Sequence, residues 1–130
     1  MILHVPITTL FVGLHALLAM ALVFKVMRIR IDKKISFGDG GDEDMQRALR
    51  VQGNFIEYVP LALMIILVLE IQGASEFLVL GLGAALFIGR ALHAYGLGKS
   101  AGTSPGRFIG TCLTWAVYCV GAIACLITAL

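Results

Sequence analysis

"QRALRVQGNFIEYVP", residues 46–60, runs straight into "LALMIILVL", residues 61–69. Arg47, Arg50, Asn54 and Glu57 therefore open one of the most apolar runs in the chain. A charged side chain at the depth of hydrocarbon costs about 2.5 kcal/mol or more. The polar residues recur at steps of three, four and three, which is the spacing of one helix face. Relative to Arg47, a straight α-helix puts Tyr58 at about +20°, Asn54 at about −20°, Arg50 at about −60° and Glu57 at about −80°. Five polar-tipped residues share an arc of about 100° and climb about 16 Å, leaving the other side to residues such as Leu49, Phe55 and Ile56. Such a stripe is expected to face protein.

The rest of the chain fits a membrane setting. Of its 130 residues, 59% are hydrophobic, and the mean hydropathy is +0.95. A soluble domain of this size needs more polar surface. About 20 apolar residues cross a bilayer. Four spans are expected, over residues 2–27, 44–71, 75–98 and 107–129, in a single domain covering 1–130. The fold class is all-α, an up-down-up-down four-helix membrane bundle. The first span lacks a basic leader region and is long for a signal peptide, so it reads as retained. "RIRIDKKISFGDGGDED", residues 28–44, reads as a polar loop.

Charge is sorted by end. Lys25, Arg28, Arg30, Lys33, Lys34, Arg47, Arg50, Arg90, Lys99 and Arg107 all fall at one end, while the turn between spans two and three carries Glu70 and Glu76. By the positive-inside rule both longer loops face the cytoplasm and both termini the opposite side. Basic residues gathered at a membrane border do not make a nucleic-acid surface. Cys112, Cys119 and Cys125 share one span, make no disulfide framework and read as small buried hydrophobes. His4 and His15 stand alone, without metal spacing, and read as structural. Trp115 and Tyr118 read as packing or interface residues, and Gly81 and Gly83 as close helix contacts.

Arg90 and His93 lie one turn apart at the basic end of span three, Arg107 opens span four there, and Arg28 and Arg30 close span one. Ordinary readings compete at each position. An arginine near a helix end can snorkel to the headgroups. Asn54 and Glu57 lie deeper, where an ionisable group needs a named partner. For Glu57 that partner is an arginine of a neighbouring helix, such as Arg90, or a ligand amine.

The pattern R-x-x-R-x-Q-x-N-x-x-E-Y-x-P, from Arg47 through Gln52 to Pro60, resembles the second-helix signature of the MAPEG family, the membrane-associated proteins in eicosanoid and glutathione metabolism. "GRALHAYGLGK", "SPGR" and "MRIRIDKK" resemble its third-helix segment, the start of its fourth helix and the basic end of its first. The family includes microsomal glutathione transferase, leukotriene-C synthase, prostaglandin-E synthase and the five-lipoxygenase-activating protein. The resemblance implies a homotrimer binding glutathione, as co-substrate, at subunit interfaces near the cytoplasmic side. It implies binding roles for Arg30, Arg50, Asn54, Glu57, Tyr58, Arg90 and His93, and a catalytic role for Arg107 in holding the thiolate. Several members carry a tyrosine one turn after the position of His93, where this chain has Leu97.

Two functions follow as expectations. One is a membrane-bound glutathione transferase or peroxidase acting on a lipophilic substrate, with membrane lipid and further copies of itself as partners. The other is a non-catalytic scaffold that binds lipid or a partner. A small four-span multidrug transporter is disfavoured, because that class centres on a first-helix carboxylate and span one has no acidic residue.

Overall fold

In the computed structural model, residues 4–99, 102 and 104–130 are described, and they form four helices: α1 (Pro6–Lys33), α2 (Glu43–Ile71), α3 (Glu76–Lys99) and α4 (Pro105–Ala129). Each is long and apolar enough to cross a membrane. The protein is a multi-pass all-α bundle, with no strand among the described residues.

Local chemistry sets the helix ends. Asp42 caps α2, its carboxylate accepting from the Met45 amide at 2.9 Å, and Glu43 and Asp44 follow in the first turn, where the dipole favours negative charge. Ser104 caps α4, with Pro105 in its first turn. At α1 the N-cap Val5 offers no side-chain oxygen, and the cap comes from another helix. Glu70, near the end of α2, accepts from the amides of Ile7 at 2.9 Å and Thr8 at 2.7 Å.

The first span ends later than the sequence suggests. Residues 28–33, read above as loop, are helical, and the turn comes at Lys34 with φ 55°. No glycine or proline intervenes before Gly38, and cations are favourable in a helix's last turn. Residues 2 and 3 lie outside the described residues, as do 100, 101 and 103 in the loop before α4.

The central pair is α2 and α3. Both α1 and α4 pack against it, and among the described residues they do not touch each other. Near the α2–α3 turn, Ala62, Ile66, Leu69, Val79, Leu82, Leu86 and Val117 form an apolar core. Towards the basic end a second cluster holds Leu22, Val51, Phe55, Val59 and Leu97.

The α3–α4 seam closes on glycine. A Cβ on Gly96 would stand 2.6 Å from the Arg107 amide, and one on Gly110 would strike the Gly89 carbonyl. Gly106 and Gly110 have the small-xxx-small spacing that lets membrane helices approach. Of the two glycines expected at contacts, Gly83 lies against the Phe11 ring, whereas a Cβ on Gly81 would meet open space. The cysteine expectation also changes: Cys112 and Cys119 are exposed and Cys125 is half-buried, because α4 turns Gly110, Thr114, Val117 and Gly121 inward instead.

Candidate functional site

The rotation of α2 decides where its stripe points. Met45, Ala48, Val51, Phe55, Val59, Ala62, Ile66 and Leu69 are its buried residues. On the scale above they centre at about +90°, so the polar arc flanks the core face and does not oppose it. Its inner edge, Asn54 and Tyr58, is half-buried. Its outer edge, Arg50 and Glu57, leaves the subunit surface, with side chains 59% and 51% exposed.

These two outer residues pair with each other. Arg50 Nη1 donates to Glu57 Oε1 at 3.0 Å, and Nη2 lies 3.5 Å from Oε2. The partner expected for Glu57 on another helix is thus replaced by one two turns back on its own. Arg90 takes a different route. It is only 2% exposed, Nη1 donates to Asn54 Oδ1, and its guanidinium lies 5.7 Å from the Tyr58 ring centroid. Its buried Nε has no partner, and none of the ion pairs among the described residues includes it.

Tyr58 is itself held. Its carbonyl accepts from the Tyr118 hydroxyl at 2.7 Å, and the two rings meet edge to face at 5.9 Å. His93 is buried one turn along α3, close enough to Arg90, Arg107 and Arg50 for all three charges to act on it. Arg107 stands in the first turn of α4, where Ser104 Oγ takes its amide at 3.3 Å. It lines an outward groove of about 270 Å³ with Phe108, Thr111, Cys112 and Trp115.

The structure therefore brings Arg50, Asn54, Glu57, Tyr58, Arg90 and His93 together on α2 and α3, with Arg107 at the rim. Arg30 is engaged elsewhere. It donates to the carbonyls of Ile35 at 3.3 Å and Gly38 at 3.0 Å and ties down the α1–α2 loop. Arg47 pairs with Asp44, whose other partner is Lys33. Leu97 is buried in the apolar cluster, and Tyr95 points outward beneath Lys99. Sequence reasoning misses the clamp made by Glu70 and the burial of His15. Neither has a periodic signal: Glu70 meets its partners on α1, and His15 is covered by rings from α2 and α3.

The cluster carries more positive than negative charge. It holds Arg50, Arg90 and Arg107 but one carboxylate, Glu57, which pairs with Arg50. Guanidiniums hold carboxylates in paired hydrogen bonds, and an amide side chain such as Asn54 both donates and accepts. The arrangement can take an anionic ligand that also carries a cationic group.

Fold and site together define a polytopic membrane protein with a cluster of arginines at one end, of which Arg90 is buried between the helices. A family model described as the MAPEG family matches residues 8–127, and the chain belongs to that family. It is 39% identical over 90 residues to the inner membrane protein YecN of Escherichia coli K12, an alignment covering 69% of each chain. The inner membrane protein YecN of Escherichia coli O6:H1 matches to the same extent.

Proposed function

We propose that this protein binds glutathione at the subunit interfaces of a homotrimer and uses it in a transferase or peroxidase reaction on lipophilic substrates. The observation that carries the reading is Arg90, a buried guanidinium that no ion pair among the described residues includes. A buried charge left without a counter-charge is costly, so a ligand carboxylate is its natural complement.

Glutathione has two carboxylates, an ammonium and a thiol. Arg50 and Arg90 would take the carboxylates, Glu57 the ammonium and Asn54 an amide, with Tyr58 and His93 walling the site. Glu57 must leave Arg50 in part to do so, and its half-exposed position allows it. Arg30 would join only from a neighbouring subunit. Trimer formation draws on the same geometry. Counted back about 20 residues from Ile71, the hydrocarbon boundary falls near Gln52, which leaves Glu57 about 8 Å inside it. A charged pair on the outer face at that depth calls for another chain to cover it.

Arg107 favours the thiolate over the thiol. In transfer, the thiolate sulfur forms a bond to an electrophilic carbon while the leaving group departs with the bonding electrons. The thiol proton goes to water at the cytoplasmic mouth. The charge asymmetry supports cytoplasmic loops with both termini opposite, in an inner membrane such as the one named for the relatives.

One observation favours the non-catalytic reading. Leu97 occupies the place of a family tyrosine and is committed to the apolar core, so the third-helix wall is less polar there. Calorimetric titration of the detergent-solubilised protein with glutathione tests binding, and turnover of a lipophilic electrophile or hydroperoxide separates the two functions. Saturable binding with turnover supports the enzyme. Saturable binding without turnover favours the non-catalytic scaffold, and no binding removes the glutathione reading and leaves the lipid- or partner-binding scaffold.

A further inference from the structure

His15 lies on α1, outside the cluster described above, and is 2% exposed. Its ring sits 6.1 Å from that of Phe55 and 5.5 Å, edge-on, from that of Phe87. Phe55 follows Asn54 on α2, and Phe87 precedes Arg90 by one turn on α3. The imidazole therefore stands at the level of the Arg90–Asn54 hydrogen bond, near enough for the guanidinium charge to act on it.

The hydrogen bonds fix its tautomer. His15 Nδ1 lies 2.7 Å from the Phe11 carbonyl oxygen, which can only accept, so Nδ1 carries a proton. A second proton on Nε2 would set a cation beside buried Arg90. Nε2 is therefore a lone-pair acceptor, and it is buried with no partner. Arg90 Nε–H is a donor, also buried with no partner. The two unsatisfied groups are of opposite type and both approach α2 at neighbouring residues, Arg90 at Asn54 and His15 at Phe55, so they can satisfy each other. A water needs two to four polar partners in a buried site, and this pair supplies two.

We infer that His15 is a positioning residue for Arg90, its Nε2 accepting through one bridging water the hydrogen bond that Arg90 Nε–H otherwise lacks. Arg90 is then held from both sides, by Asn54 on Nη1 and by His15 on Nε. Its remaining donors are kept in a fixed orientation towards the cluster. The consequence for ligand affinity rests on the proposed role of Arg90 in gripping a carboxylate; the hydrogen bond itself does not.

The test uses the full chain in lipid nanodiscs, labelled with ¹⁵N at histidine and arginine, first without ligand. The expected spectra show His15 protonated at Nδ1, a hydrogen-bonded lone-pair Nε2, and magnetisation transfer from water to Arg90 Nε–H. The Arg90 Nε–H resonance should shift in His15→Phe, which keeps the ring and loses the acceptor, and return towards its position in His15→Gln. Glutathione affinity should fall about tenfold in His15→Phe, as for the loss of one hydrogen bond to a charged group, and stay within about threefold in His15→Gln. An Nε2-protonated tautomer, or an Arg90 resonance unmoved in a folded His15→Phe, overturns the inference. If His15→Phe does not fold, the wild-type tautomer and the water transfer decide. If the wild type binds no glutathione, the functional reading fails while the ligand-free spectra still decide the role of His15.

Discussion

Glu57 and Glu70 are carboxylates of the same helix with opposite fates. Glu70, at the acidic end, is spent on structure: both its oxygens accept backbone amides that begin α1. Glu57, towards the basic end, meets only Arg50, on a half-exposed outer face. The same contrast runs through the surroundings. Near Glu70 the helices meet through the apolar core of Ile66, Leu69, Val79 and Leu82. Near Glu57 the helices bring up Arg90 without a carboxylate and Arg107 at a groove. Glu70 is consumed by the fold, whereas Arg90 holds a charge that no ion pair among the described residues meets. Reserved charge at membrane depth is the reason the proposed ligand site is put at the basic end.

Exchanging the two carboxylates for amides separates those roles. Glu57→Gln should weaken glutathione binding by about 1.5–3 kcal/mol, the worth of a hydrogen bond between charged groups, and Arg50→Ala by at least as much. Glu70→Gln should leave affinity nearly unchanged and lower unfolding stability by about 1–3 kcal/mol, since two amides lose a charged acceptor. Titration calorimetry and thermal unfolding on each variant check this. Equal losses of affinity from both variants would erase the contrast.

The glycine seam sharpens the comparison at the level of packing. Gly110→Ala forces a Cβ against the Gly89 carbonyl and the His93 backbone, and overpacking of this kind costs about 1–3 kcal/mol. Gly13→Ala, with nothing within 4 Å, should instead be neutral or stabilise by up to about 1 kcal/mol through helix propensity. Melting curves in one detergent compare the two.

Arg107→Ala is expected to act on chemistry more than on binding. Favouring the thiolate by one pKa unit is worth about 1.4 kcal/mol, so turnover should fall about tenfold with little change in glutathione affinity. Arg107→Lys should be intermediate, because it keeps the charge and loses the planar fork.

The smallest effect belongs to the loop. The Lys33 ammonium, and after it the Met45 amide, hold the Asp42 carboxyl below the usual carboxylate range. A lowered folded-state pKa means stability present above the ordinary value near about 4, lost as pH falls through the lowered one. The wild-type melting temperature should therefore decline in acid, and Asp42→Asn should show a shallower decline while keeping the α2 cap. An identical acid limb in both proteins would assign the effect to other carboxylates.

Much of the fold and part of the site are legible in the sequence. Residues 47–58 announce a helix face because charge so deep is rare and its period is plain. The partner of Glu57 is not legible, since an arginine seven residues back and one on another helix fit the same period equally well. The end of α1 misleads because clustered Arg and Lys look like loop, although they suit a helix C-terminus. Gly106 and Gly110 are in plain view, yet which glycines meet a neighbour depends on helix rotation, which the whole core sets. For the same reason His15 looks like a lone histidine on an apolar segment.

The central claim is that the basic end holds glutathione with its sulfur ionised. An ultraviolet difference spectrum on adding glutathione tests this most directly, because the thiolate absorbs where the thiol does not. The expected result is a saturable thiolate band in the wild type, lost in Arg107→Ala and right-shifted to higher glutathione concentration in Glu57→Gln. A flat difference spectrum at glutathione concentrations that saturate binding would contradict the claim.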